Sequence, residues 1–85
     1  MNIYHIHSKK DKREIVLGIH EERASSEEWA LEKATRSILE DFRPMVDRIE
    51  CERHNSEGFN IINYYENGES HKITLWAELY KVCEE

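Results

Sequence analysis

The chain is short of nearly everything that marks a specialised class of protein. Of 85 residues only two are cysteines, Cys51 and Cys83, which is neither a disulfide framework nor a zinc-ligand pattern. A reduced, cytosolic setting is the simpler reading. No apolar run approaches the ~18 residues of a membrane span, and the start, MNIYHIHSKK, lacks the apolar core of a signal peptide. Positive charge is scarce too. Twelve basic residues stand against eighteen acidic ones, a net charge of −6, whereas a general nucleic-acid binder would usually be basic. There is no Gly-rich phosphate loop, no nucleophile elbow and no carboxylate pair in an apolar cleft. These absences point away from an enzyme and toward a small, well-solvated domain with one core. A chain of this size buries about 60% of the surface that its unfolded form exposes.

What is present is organised around one helix. From Ser25 to Phe42 the sequence SSEEWALEKATRSILEDF carries a 3.6-residue period. On a helical wheel Leu31, Ala34, Ile38 and Phe42 fall within a stripe of roughly 80°, with Leu39 at its margin. Ser25 and Glu28 have the spacing of a capping box, acids crowd the first turn, and Pro44 follows the end. A single apolar stripe needs an apolar partner, and nothing else in the chain is helical enough to provide it. The partner is therefore expected to be a sheet.

Five strands are expected. Asn2 to His7 places Ile3, His5 and His7 on one side and Tyr4 and Ile6 on the other. The run Ser8 to Arg13 reads as a charged connection. Glu14 to Glu21 alternates, with Ile15, Leu17 and Ile19 on one face. After the helix come Arg48 to Arg53, Phe59 to Tyr65, and a long last strand from Ser70 to about Val82. Its length predicts a bulge or break near Ala77 or Glu78. Asn67-Gly68 predicts a type I′ hairpin, and Asn55 to Gly58 a four-residue loop. The first turn pairs Ile62 with Ile73, Tyr64 with His71 and Asn60 with Leu75. The second pairs Cys51 with Ile62 and Ile49 with Tyr64. Both turns thus put Ile49, Cys51, Ile62, Tyr64, Ile73 and Leu75 on one face, and a one-residue slip in either would scatter them. The expected fold is α+β: two layers, one helix packed on a mostly antiparallel five-stranded sheet in the order β-β-α-β-β-β, a single domain over residues 1–85.

One helix covers one side of such a sheet. The other side is assigned Arg48, Glu50, Glu52, Phe59, Ile61, Asn63, Tyr65, Lys72, Thr74 and Trp76. Phe59, Ile61, Tyr65 and Trp76, rimmed by the acids Glu50 and Glu52, have the composition of a protein-protein contact surface. Cross-strand aromatic pairs that stabilise a thin sheet are the structural alternative. Trp29, on the solvent side of the helix among Lys33, Arg36 and Glu40, is either a partner anchor or is packed under neighbouring side chains, and packing is favoured. A metal site is considered at His5 and His7, about 7 Å apart on one strand face, with His20 near; further ligands would have to come from Glu22 or Asp11. That set is incomplete, so no metal or cofactor is assigned. Cys51 falls on the core face, where a thiol acts as a small hydrophobe.

The layout of NIYHIH, EIVLGI, the helix SSEEWALEKATRSIL and an antiparallel meander resembles small phage-encoded anti-CRISPR proteins that act on type I surveillance complexes. The resemblance spans nearly the whole chain and lies in architecture and length, with no shared motif. It implies a non-enzymatic inhibitor in the host cytoplasm that binds a Cas subunit and blocks DNA recruitment, without touching nucleic acid or membrane itself. A homodimeric regulatory domain pairing through the same face is the alternative.

Overall fold

The computed structural model describes residues 1–11 and 20–82, and for residues 20–22 the backbone only. The order is β1 (Asn2–Lys10), β2 (His20–Ala24), α1 (Glu27–Phe42), β3 (Arg48–Glu52), β4 (Asn60–Glu66) and β5 (Glu69–Val82). The five strands form one sheet in the order β2-β1-β5-β4-β3, every neighbouring pair antiparallel, and α1 packs across it. This is the expected α+β architecture. The apolar alternation expected at Ile15, Leu17 and Ile19 lies outside the described residues.

Both hairpin registers stand as the turn chemistry requires. Ile62 opposes Ile73, Tyr64 opposes His71 and Asn60 opposes Leu75, while Cys51 opposes Ile62 and Ile49 opposes Tyr64. Asn67 and Gly68 both have positive φ, 52° and 79°, as a type I′ turn demands. Across the helix-facing side these residues meet Tyr4 and Ile6 of β1 and Ala30, Leu31, Ala34 and Leu39 of α1 to form the core. Ile38, Phe42, Ile49 and Cys51 close its margin, and Phe42 meets Tyr64 edge-on at 5.3 Å between centroids. Burial pushes the Cys51 thiol pKa above its usual value.

A polar bridge crosses this core. The Thr35 hydroxyl donates to the Leu31 carbonyl at 2.7 Å and accepts from the Asn60 amide at 2.9 Å. The Asn60 carbonyl oxygen in turn accepts from the backbone N–H of His54 at 2.6 Å. Thr35 and Asn60 are both buried, so each polar atom in the chain needs its partner.

Four details differ from expectation. The helix is capped by Ser26, whose hydroxyl accepts from the N–H of Trp29 at 3.2 Å. With β2 paired through Ala24, Ser25 is spent on the turn out of the sheet. The acid of the expected capping box is displaced with it: Glu28 faces His54 at 3.7 Å instead. Ser8 to Arg13 is not simply a connection, because β1 runs on through Lys10 along β5. Asp11, at φ 54°, ends that strand and donates its N–H to the Lys72 carbonyl at 2.7 Å. The bulge in β5 lies at Tyr80: Tyr4 opposes Leu79 while Ile3 opposes Lys81, leaving Tyr80 as the extra residue. Finally, the buried stripe of α1 is turned from the expected one: Ala30, Leu31, Ala34, Thr35 and Leu39 are buried, Ile38 and Phe42 only partly, and the polar Thr35 is satisfied by the bridge to Asn60.

Candidate interaction surface

Strand alternation dictates what the uncovered side of the sheet displays, because core residues alternate with open-face residues along every strand. Opposite Leu75 and Tyr64 in that alternation stand Trp76 and Tyr65. The pairings lay the open face out in rows. His7 opposes Trp76, whose ring lies 5.8 Å from that of Phe59. Lys9 opposes Thr74, which opposes Ile61, which opposes Glu52. Lys72, Asn63 and Glu50 make the next row, and Ser70, Tyr65 and Arg48 the last.

The aromatic centre is compact. Trp76 is sandwiched along one row, stacked on His7 at 5.5 Å and 8° between planes and tilted against Phe59. His7 is fixed by Glu78, whose Oε2 lies 2.9 Å from its Nε2. Phe59 is presented by the β3–β4 loop: the Asn55 side-chain carbonyl accepts from the N–H groups of Glu57 and Phe59, at 2.9 and 3.0 Å. These three rings are half-buried.

Beside them lies a shallow cleft of about 420 Å³ floored by Phe59, Ile61, Thr74 and Trp76. Its rim is charged, with Lys9 and Lys72 facing Asp11 and Glu57. The Asp11 carboxylate accepts from the N–H of Lys72 at 3.1 Å and faces His71 Nδ1 at 3.3 Å. The Lys72 amide first, and His71 second, hold its pKa below the ordinary carboxylate value.

The residues singled out in the sequence do not all gather here. Phe59, Ile61 and Trp76 share the centre, and Glu52 adjoins Ile61. Tyr65 sits six residues along β4 from Phe59, about 20 Å away at the usual strand rise. There the Arg48 guanidinium covers its ring at 5.7 Å and is ion-paired with Glu50. Tyr65, Arg48 and Glu50 thus form a second, separate group. Trp29 belongs to neither. It stands exposed on α1 with the Arg36 guanidinium 5.4 Å over its ring, and lines a cleft of about 350 Å³ with Glu28, Glu32, Arg53 and His54. Glu32 holds that cleft together, taking Arg36 at 3.0 Å and Arg53 at 2.7 Å.

No family model matches this chain, nor does any curated protein or solved structure. What the site does must therefore be argued from its chemistry. Sequence reasoning missed His7, Lys9 and Asp11, which β1 brings to the centre and rim by pairing with β5. Two signals pointed that way: the alternation of Ile3, His5 and His7 already placed His7 on the face opposite Tyr4, and the long β5 needed a partner beyond β4. An apolar floor, a stacked aromatic row and a rim of both charge signs suit the docking of a protein side chain. The core of a protein interface is dry and aromatic, with a polar surround.

Proposed function

We propose that this chain is a small non-enzymatic binding protein that docks on a protein partner through the open face of its sheet. The observation that carries the reading is the row His7–Trp76–Phe59, in which Trp76 meets a ring on either side, on the face that α1 does not cover. Aromatic anchors of this kind supply most of the energy in protein interfaces. In its specific form the proposal is an inhibitor, in the manner of the anti-CRISPR proteins it resembles in layout, which engages a Cas subunit of a host surveillance complex. The net charge of −6 fits docking on a basic, nucleic-acid-processing partner better than binding nucleic acid directly. Glu52 lies on that same face next to Ile61, and Glu50 lies further along it in the group with Tyr65 and Arg48, and both would meet the basic surface.

The test is titration of a purified type I surveillance complex with this protein while its DNA binding is followed. Stoichiometric loss of DNA binding, relieved by Trp76→Ala, supports the inhibitor reading. Undiminished DNA binding at excess protein removes it. A homodimeric accessory domain is the second reading, through a contact other than the open face first expected for it: beyond Leu75, among the described residues, β5 has no strand along one edge.

A further inference from the structure

The ladder between β4 and β5 ends at Asn60–Leu75. Beyond it β5 runs on to Val82 with β1 along one edge and, among the described residues, no strand along the other. Burial stops with the ladder: Leu79, Tyr80 and Val82 are exposed by 52%, 59% and 58%. An open edge of this kind offers a row of N–H and C=O groups to another strand, and proteins ordinarily blunt or cover it.

The bulge gives the edge an unusual symmetry. Ala77, Leu79 and Val82 oppose Ile6, Tyr4 and Asn2 on the helix-facing side, whereas Glu78 and Lys81 oppose His5 and Ile3 on the open side. Tyr80 is the residue set out of the ladder, and its ring stacks on His5 at 4.0 Å. Without Tyr80 the edge reads Ala77, Glu78, Leu79, Lys81, Val82. That order is a palindrome in polarity and an antipalindrome in charge. Turned about a two-fold axis through Leu79, it sets Leu79 against Leu79 of a second copy. Glu78 then faces Lys81 twice, and Ala77 faces Val82 twice, each on its matching face. In an unbulged strand Glu78 and Lys81, three apart, would point to opposite faces and this register would be impossible.

We infer that two copies of this chain pair antiparallel along Ala77–Val82 of β5, joining their sheets through an isologous edge contact. The occupant is specified by complementarity. A self-pairing strand needs opposite charges across the axis and apolar residues on it, and this edge has both. The interface meets the aromatic row only at Glu78, which also faces His7, and it stands whether or not the protein is an inhibitor.

The experiment is sedimentation velocity on the full chain over a concentration series, with charge exchange at the two ionic positions. The wild-type protein should dimerise. Glu78→Lys and Lys81→Glu alone each place like charges in contact twice and should weaken the dimer about tenfold, and the two together should restore it. A protein that is monomeric throughout, or a dimer indifferent to the single changes or not restored by the pair, overturns the inference. Leu79→Cys, made with Cys51→Ser and Cys83→Ser, provides an independent readout. Directly opposed antiparallel residues have Cα atoms about 4.5–5.5 Å apart, within disulfide range. Oxidation should link two chains covalently, and failure to do so counts against the two-fold at Leu79. Tyr65→Ala, at the far end of the sheet, should leave the dimer unchanged, and a dimer lost with it would place the contact elsewhere.

Discussion

Thr35→Val tests the polar bridge between the layers. Valine keeps the shape of threonine but removes the hydroxyl that accepts from the Asn60 amide at 2.9 Å. Asn60 is 2% exposed, so its NH₂ group would lose a partner where water does not reach. A buried donor left unsatisfied costs about 1–3 kcal/mol. In a domain of this size ~1 kcal/mol moves the melting temperature by about 4–8 °C, so a drop of about 4–24 °C is expected. Asn60→Leu, close to isosteric, should also destabilise, because the His54 N–H loses its acceptor. The double variant removes both side-chain polar groups of the bridge, so that only the cost at the His54 N–H remains. The two losses should therefore fall short of additive by ~1 kcal/mol or more in urea titrations followed by circular dichroism. Additivity within about 0.5 kcal/mol would refute the bridge, since residues that share no interaction add to that precision.

Two further tests address the helix start and the rim of the cleft. Ser26→Ala should cost about 1 kcal/mol of stability and Ser25→Ala close to nothing, read from urea midpoints; the reverse order would restore the cap to Ser25. Asp11 has a folded-state pKa below its unfolded one, so its contribution is present above the unfolded value and is lost as pH falls through the folded value. The stability difference between wild type and Asp11→Asn should thus hold from neutral pH down to about 4 and shrink below it. A difference that stays flat or widens in acid would contradict the contact with Lys72 and His71.

Local chemistry made the meander legible. Asn67-Gly68 demands two positive φ values that only a primed turn uses, and that turn, with the Asn55–Gly58 loop, set the pairings of β3 with β4 and of β4 with β5 without reference to distant residues. The face assignment followed from period 2, and so did Phe59, Ile61 and Trp76 on the uncovered side. Contacts made by distant parts of the chain were not legible. Nothing near Ser8, Lys9 or Lys10 marks a strand, because what holds them extended is the ladder to β5 more than sixty residues away. The position of the bulge likewise depends on where β1 fits against β5, so the length of β5 implied a bulge but not its place at Tyr80. Grouping Tyr65 with Trp76 followed from counting faces without counting rows. Both do lie on the open side, but Tyr65 lies three rows away, under Arg48.

Trp76→Ala measures directly whether the aromatic row serves docking and not the core. Trp76 touches His7 and Phe59 on the open side, so its loss should cost only the ring contacts, about 0.5–1.5 kcal/mol each, and the chain should keep a cooperative melt. Ile62→Ala, beneath the helix and fully buried, should cost about 2–5 kcal/mol in the same scan. The predicted result is a folded Trp76→Ala protein that no longer retains or inhibits the surveillance complex proposed as the partner of wild type. Unfolding of Trp76→Ala on the scale of Ile62→Ala, or a folded variant that binds as tightly as wild type, would contradict it.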